Sequence, residues 1–209
     1  MSDLQQRLER GLAAMALRLS AAQVDGLLRY LALLHKWNGA YNLTAIRDPQ
    51  EMVARHLLDS LSIAGFLQGE RVIDVGSGPG LPGIPLAIIQ PHRSFTLLDS
   101  NGKKTRFQQQ AKLELGLTNL EVMAGRAESC APAAPFDEVV SRAFASLDDM
   151  LRWSDRLCAD GGRFLAMKGV YPDEELAALP AGYRLQASHR LQVPDTDGER
   201  HLIILERAA

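Results

Sequence analysis

Residues 72–83, VIDVGSGPGLPG, constrain this chain more than any other stretch. Val72, Ile73 and Val75 supply a short buried strand, Gly76, Gly78 and Gly80 a turn without side chains, and from Leu81 the sequence is helix-compatible. Strand, glycine turn and helix in that order bring main chain close to a nucleotide where side chains would collide. Such a turn belongs to a mostly parallel sheet with helices on both faces.

The glycines alone leave the ligand open, because residues 78–83 also satisfy the G-x-G-x-x-G pattern of dinucleotide enzymes. Asp74, two residues before the first glycine, can accept from a ligand's ammonium group or from the amides of the turn. S-adenosylmethionine carries an ammonium group; NAD does not. Pro82 and Pro85 remove two N–H groups where a pyrophosphate would sit, which favours a ligand without phosphates. Asp99 follows a second strand, nineteen residues beyond Gly80, at the spacing of an acid that grips a ribose diol; its other role is to cap the helix beginning near Gly102.

The rest of the chain fits this frame. Leu4, Leu8, Leu12, Met15 and Leu19 form one apolar stripe of a first helix. Ser20 and Gln23 form a capping box for a second, which breaks near Asn38 and Gly39. Asp48 and Pro49 start a third, running through Leu61. Strands follow at 72–75, 95–98, 120–123, 138–141 and 164–167, the last entered through a turn at Gly161 and Gly162. Residues 183–191 and 201–206 form an antiparallel hairpin, since their connection is too short for a crossover helix. Five parallel strands closed by a hairpin is the sheet of nucleoside-dependent methyltransferases. The expected organisation is a helical cap over 1–66 on a ligand-binding domain over 67–209.

A length of 209 residues, 46% hydrophobic and 23% charged, suits a globular chain with a real core. No apolar stretch reaches spanning length and the start lacks a signal peptide's apolar segment, so a cytoplasmic location is expected. Cys130, in a connecting segment, and Cys158, in a helical run, are expected to be free thiols. His35 and His56 lack partners at zinc spacing, so no metal is expected. A net charge of −2 argues against indiscriminate nucleic-acid binding, yet residues 101–126 carry a net +3 and 171–209 a net −3. A basic face beside the ligand site and an ordinary solvated helix both fit the first segment.

Several runs resemble one family: HKWN (35–38), YNLT (41–44), RHLLDS (55–60), DVGSGPGLPGIP (74–85), SRAFA (141–145) and GERH (198–201). They are similar to the RsmG (GidB) family of bacterial 16S ribosomal RNA guanine-N7 methyltransferases, from about residue 28 to 207. The resemblance implies a Rossmann-like class I methyltransferase fold, S-adenosylmethionine as donor, and 16S rRNA in the small ribosomal subunit, at nucleotide 527, as acceptor. No obligate protein partner is evident in the sequence. By position, the family's donor-site pattern falls on Gly76, Leu81, Ala127, Glu128 and Arg142.

Guanine N7 carries a lone pair and no proton, so its methylation needs no general base. After the fourth strand stands Ser141-Arg142-Ala143-Phe144, not the Asn/Asp-Pro-Pro-aromatic motif of amino-group methyltransferases, and no Pro-Cys pair offers a nucleophile. Catalysis then rests on alignment. Arg142 and Lys168, after the fourth and fifth strands, are the candidate catalytic residues; each can meet donor or RNA, or form a salt bridge at a strand end. Glu128 can contact adenine or favour a helix N-terminus. Arg126, Arg200 and His201 can meet RNA. Trp37 and Tyr41 can stack on a base or pack the cap over the donor pocket. Two other classes remain open: an NAD-dependent oxidoreductase, from the glycines, and a noncatalytic RNA-binding assembly factor, from the basic segment.

Overall fold

A computed structural model describes residues 3–142, 144 and 146–208; Met1, Ser2, Ala143, Ala145 and Ala209 lie outside the described residues, and two of these positions belong to the SRAFA run. Seven strands form one sheet: β1 (Arg71–Val75), β2 (Ser94–Asp99), β3 (Leu120–Ala124), β4 (Phe136–Ser141), β5 (Cys158–Lys168), β6 (Tyr183–Arg190) and β7 (His201–Arg207). Their order is β3-β2-β1-β4-β5-β7-β6. The first five pair in parallel, and β7 runs antiparallel between β5 and β6. The strand order reverses between β1 and β4, and at such a switch point open α/β sheets bind ligands.

Alternation along the strands sorts the core onto two faces. Val72, Phe95, Leu97, Val140 and Leu165 join a cluster with α5 (Gly83–Ile89), α6 (Gly102–Leu115) and the N-terminal helices. Ile73, Leu98, Val139, Phe164 and Ile203 face the other way, onto Leu147, Met150 and Leu151 of α7 (Leu147–Ser154). A short α8 (Asp173–Ala177) follows β5.

The N-terminal segment consists of α1 (Asp3–Ala14), α2 (Ala21–Tyr41), α3 (Pro49–Met52), a π-helical stretch Val53–Leu58 and α4 (Asp59–Leu61). The capping box of α2 forms, with Ser20 accepting from the Gln23 amide and Gln23 from that of Ser20. Asp48 caps α3 through the Gln50 amide. Leu8, Leu12, Leu27, Tyr30, Leu57 and Leu58 are buried in the same cluster as β1 and β2, so cap and sheet share one core.

Several boundaries differ from the sequence reading. The first helix ends at Ala14, not at Leu19, because Ala16 takes φ +54°; Leu17 and Leu19 still pack on the core from outside the helix. The second helix passes Asn38 and Gly39 and stops at Asn42, whose left-handed backbone closes it. Asn38 is buried, accepting from Thr44 N at 2.9 Å and donating to Ile46 O at 3.1 Å, so its side chain serves the following loop without breaking the helix. The third helix is interrupted by its π turn. β5 begins at Cys158 and contains Gly161 and Gly162; Cys158 is therefore a buried strand residue, not a helical one. A Cβ on Gly162 would stand 2.6 Å from Cys158 Sγ, which is why the strand can bend there only with glycine.

Candidate functional site

The glycine turn is held by its own amides. Gly76 and Ser77 donate to Leu98 O at 2.8 and 3.3 Å, Gly80 and Leu81 to Ser77 O at 2.8 Å, and Ile84 to Gly80 O at 2.7 Å. Gly78 N donates to Asp99 Oδ2 and Gly83 N to Asp74 Oδ2, both at 2.8 Å. Pro79 and Pro82 have no N–H to give. Each amide from Gly76 to Ile84 is thus spent inside the protein, and none is left to cradle a pyrophosphate. The turn is braced from outside by Tyr30 Oη on Pro79 O (2.8 Å) and by Gln108 Nε2 on Gly78 O (2.7 Å). Gly76 and Gly78 have φ of +69° and +60°, which a side chain would strain.

Asp74 therefore takes the amide role that the sequence left open. Its Oδ2 meets Gly83, while Oδ1 is buried with no hydrogen-bond partner among the described residues. Burial pushes this carboxyl up to about 7, opposed by the Gly83 amide and the Arg142 charge and reinforced by Asp99. Asp99 is not a helix cap: Asn101 caps α6, accepting from Lys103 N at 3.0 Å. Asp99 instead ties two loops, through Gly78 N and through Asn101 N at 2.8 Å. Each carboxylate oxygen accepts one amide and keeps a second lone pair.

A cavity of about 400 Å³ opens at the carboxyl ends of β1, β2 and β3. Gly76, Asp99, Lys104, Ala127, Glu128 and the Phe144–Trp153 pair, whose rings lie 5.7 Å apart, contribute to its wall. Ala127 is buried; Glu128 is exposed, 3.9 Å from Arg126. This set fits S-adenosylmethionine by its chemistry: a buried carboxylate for a diol, a main-chain loop with an acid for adenine, and a glycine turn with no amide left for phosphates. Gly78, Gly80, Leu81 and Asp74 do not line this cavity; they shape the turn that follows Gly76.

Arg142 and Lys168 line a second cavity, of about 320 Å³, at the ends of β4 and β5. Arg55, His56, Asp59, Arg200 and His201 share it. Arg142 Nη1 donates to Asp59 Oδ2 at 3.0 Å and to Arg55 O at 3.2 Å. Arg200 Nε donates to Asp59 Oδ1 at 3.1 Å. Lys168 Nζ meets Glu175 on α8 at 3.0 and 3.1 Å. His201 Nε2 lies 3.0 Å from Glu199. His56 Nδ1 faces Arg55 O at 3.1 Å and must donate to it, so Nε2 accepts from the Thr44 hydroxyl at 3.0 Å. Burial, with the Arg142 charge, holds His56 down at about 4, and it is neutral.

Asp59 and Arg55 were not singled out by role in the sequence; the available signal was a charged pair and a histidine within an apolar helical run. Trp37 stacks on Tyr41 at 5.1 Å and meets Phe107 of α6 at 5.7 Å, packing the cap without lining either cavity. Cys130 and Cys158 are free and buried. Among the described residues, no cluster of three or more His, Cys, Asp or Glu could hold a metal, and no helix is long and apolar enough to cross a membrane.

Residues 23–203 match the family GidB, rRNA small subunit methyltransferase G. The ribosomal RNA small subunit methyltransferase G of Marinobacter nauticus is 59% identical over 97% of this chain and 94% of its own length. That of Serratia proteamaculans is 56% identical over 97% of this chain and 99% of its own. Among solved structures, a putative O-methyltransferase from Klebsiella pneumoniae covers both chains fully with a TM-score of 0.62 at 16% identity. The O-methyltransferase TomG from Streptomyces achromogenes does so with 0.59 at 18%. These two establish the Rossmann-like methyltransferase fold. With a match across most of its length and relatives more than half identical from end to end, this chain belongs to the rRNA small subunit methyltransferase G family.

Proposed function

We propose that the protein transfers a methyl group from S-adenosylmethionine to N7 of guanine 527 of 16S rRNA, within the small ribosomal subunit. The atom and the nucleotide come from the family resemblance. The observation that carries the reading for this chain is the pair of cavities flanking the β1–β4 switch point, one lined by Gly76, the buried Asp99, the Ala127–Glu128 loop and the Phe144–Trp153 pair, the other by four cationic side chains and Asp59. The first suits a nucleoside with an amino-acid tail and no phosphates, the second an RNA strand.

When bound, the donor supplies an electrophilic methyl group on a sulfonium. Asp99 holds the ribose diol, Gly76 leaves room for the amino-acid tail while Leu81 packs behind the turn, and Ala127 and Glu128 contact the adenine. Arg142 and Lys168 hold the RNA so that N7 lies in line with the donor; proximity and orientation supply most of the acceleration. No proton is removed from N7. A neutral His56 with both ring nitrogens engaged is consistent with that, serving as wall and not as base. Residues 1–66 act as a cap and 67–209 as the methyltransferase domain, no metal takes part, and the work is done in the cytoplasm.

The test incubates protein and labelled donor with small subunits lacking N7-methylguanine, then cleaves the RNA chemically at any new N7-methylguanine. One cleavage site, at nucleotide 527, is expected. Saturable donor binding without transfer to subunits or free 16S rRNA would discard the acceptor and keep the donor site.

A further inference from the structure

The second cavity contains a buried carboxylate whose ion pairs all leave its own segment. Asp59 begins α4, directly after the π-helical stretch, and its side chain is 5% exposed. Its oxygens meet two arginines from distant parts of the chain: Oδ2 lies 3.0 Å from Arg142 Nη1, after β4, and Oδ1 lies 3.1 Å from Arg200 Nε, just before β7. A buried carboxylate costs several kcal/mol unless paired, and one arginine would suffice to pair it. Here two guanidiniums converge on one acid, leaving a net positive charge at the cavity wall.

The remaining donors are as informative. Arg142 uses Nη1 alone, for Asp59 and Arg55 O. Arg200 uses Nε for Asp59 and Nη1 for Glu199 O. Nε and Nη2 of Arg142 and Nη2 of Arg200 make no hydrogen bond with described residues, and both side chains are about a quarter exposed, at 27% and 24%. Planar guanidiniums fixed at one end and open at the other suit the oxygens of a phosphodiester.

We propose that Asp59 is a positioning residue: by gripping Arg142 and Arg200 it fixes two guanidiniums at the wall of the second cavity, where they hold the RNA backbone beside the target guanine. This rests on the reading of that cavity as the RNA side of the site. Asp59 does not touch the substrate; it acts through the arginines. Its negative charge opposes RNA binding in Coulomb terms, which separates positioning from mere electrostatics.

The experiment compares wild type with Asp59→Asn, Arg200→Lys and Asp59→Asn/Arg200→Lys. It measures kcat on small subunits lacking the methyl group, subunit affinity, donor affinity by calorimetry, and thermal unfolding. For Asp59→Asn we expect kcat to fall about 30-fold, within the roughly 100-fold that a displacement of about 1 Å costs. Subunit affinity should stay equal or tighten, because a negative charge has left, and donor affinity should stay within about two-fold. Arg200→Lys keeps the charge but loses the Nε contact and should reproduce the kcat loss. The double variant should fall well short of the product of the single losses. A normal kcat with tighter subunit binding in Asp59→Asn would overturn the proposal, making Asp59 only a charge. Losses that multiply in the double variant would overturn it too, making the two contacts independent. Should Asp59→Asn fail to fold, Arg200→Lys decides alone, and normal turnover there would sink the idea. Absence of N7-methylguanine from the wild-type reaction would instead defeat the functional reading itself, and this proposal with it.

Discussion

The two cavities beside the switch point are built by opposite means. The cavity over β1–β3 is backed by main chain: it opens at Gly76, the first residue of a glycine turn whose amides are consumed by Leu98 O, Ser77 O, Gly80 O, Asp74 and Asp99, and the side chains of Asp99, Lys104, Glu128, Phe144 and Trp153 complete its wall. The wall over β4 and β5 is side chain: Arg55, Asp59, Arg142, Lys168 and Arg200, brought together from the cap, the ends of β4 and β5 and the hairpin loop. The first is stiff before any ligand arrives and fits a small molecule of fixed shape. The second is held by ion pairs that fix guanidiniums at one end and leave donors open for a phosphate at the other, as a large, charged substrate requires.

Arg142→Ala probes the comparison hardest, since the resemblance implies a donor contact while the geometry puts Arg142 in the second cavity. We expect methyl transfer to fall about 100-fold, a loss of the size seen when one oriented donor group is removed. Donor affinity should stay within about two-fold; an equal loss in donor affinity would move Arg142 to the donor side. The variant also removes the Arg142 contacts to Asp59 Oδ2 and Arg55 O, so its thermal midpoint should drop. Asp99→Ala comes next and should do the reverse. It orphans the amides of Gly78 and Asn101 and removes the diol acceptor, weakening donor binding by about 1–3 kcal/mol and lowering stability by a similar amount. Calorimetry showing unchanged donor affinity would take Asp99 out of the site.

This contrast also separates what is legible in the sequence from what is not. The five strands, the hairpin, the capping box at Ser20 and Gln23 and the glycine turn are local patterns, and each appears in the structure where its residues stand. Asp74 and Asp99 are legible as acids near the turn, but their amide partners are not, because these depend on how β1 and β2 sit in register. The Asp59 contacts cannot be read from spacing. Residues 55 and 59 look like an exposed i, i+4 ion pair, yet Arg55 lies near Glu51, at 3.9 Å, and Asp59 points inward. The π turn adds a residue and rotates the face beyond it, which no 3.6-residue pattern anticipates.

Acidity offers a finer test, since each cavity has one displaced titration beside it and the two act in opposite senses. Asp74 is raised to about 7, so between about pH 4 and 7 the folded protein binds a proton that the unfolded chain has lost, and its contribution falls as pH rises. His56 is lowered to about 4, so between about pH 4 and 6.5 the unfolded chain binds the extra proton, and its contribution rises with pH. Together they flatten the profile across that window. Asp74→Asn should remove the falling part, so that its stability relative to wild type improves from about pH 4 to 7, as denaturant titrations at several pH values would show. A difference independent of pH would mean that Asp74 ionises normally.

Tyr30→Phe should have the smallest effect and discriminates most cleanly. Tyr30 is fully buried on α2, and its hydroxyl donates to Pro79 O at 2.8 Å, the one side-chain hydrogen bond from the cap to the glycine turn among the described residues. Its hydroxyl is held protonated, burial pushing the pKa far up, so it is a donor at every pH of interest. Removing it keeps the ring packed near Phe107, with centroids 6.2 Å apart, and leaves one carbonyl unsatisfied, at a cost of about 1 kcal/mol. If the turn is a preformed backing for the donor cavity, that loss should appear in donor affinity, about five-fold, with kcat at saturating donor and subunit affinity unchanged. Were the loss to fall on kcat or subunit affinity instead, the cap would be coupling the two cavities, and the division between a cavity backed by the glycine turn and one built from distant side chains would no longer describe how the site works.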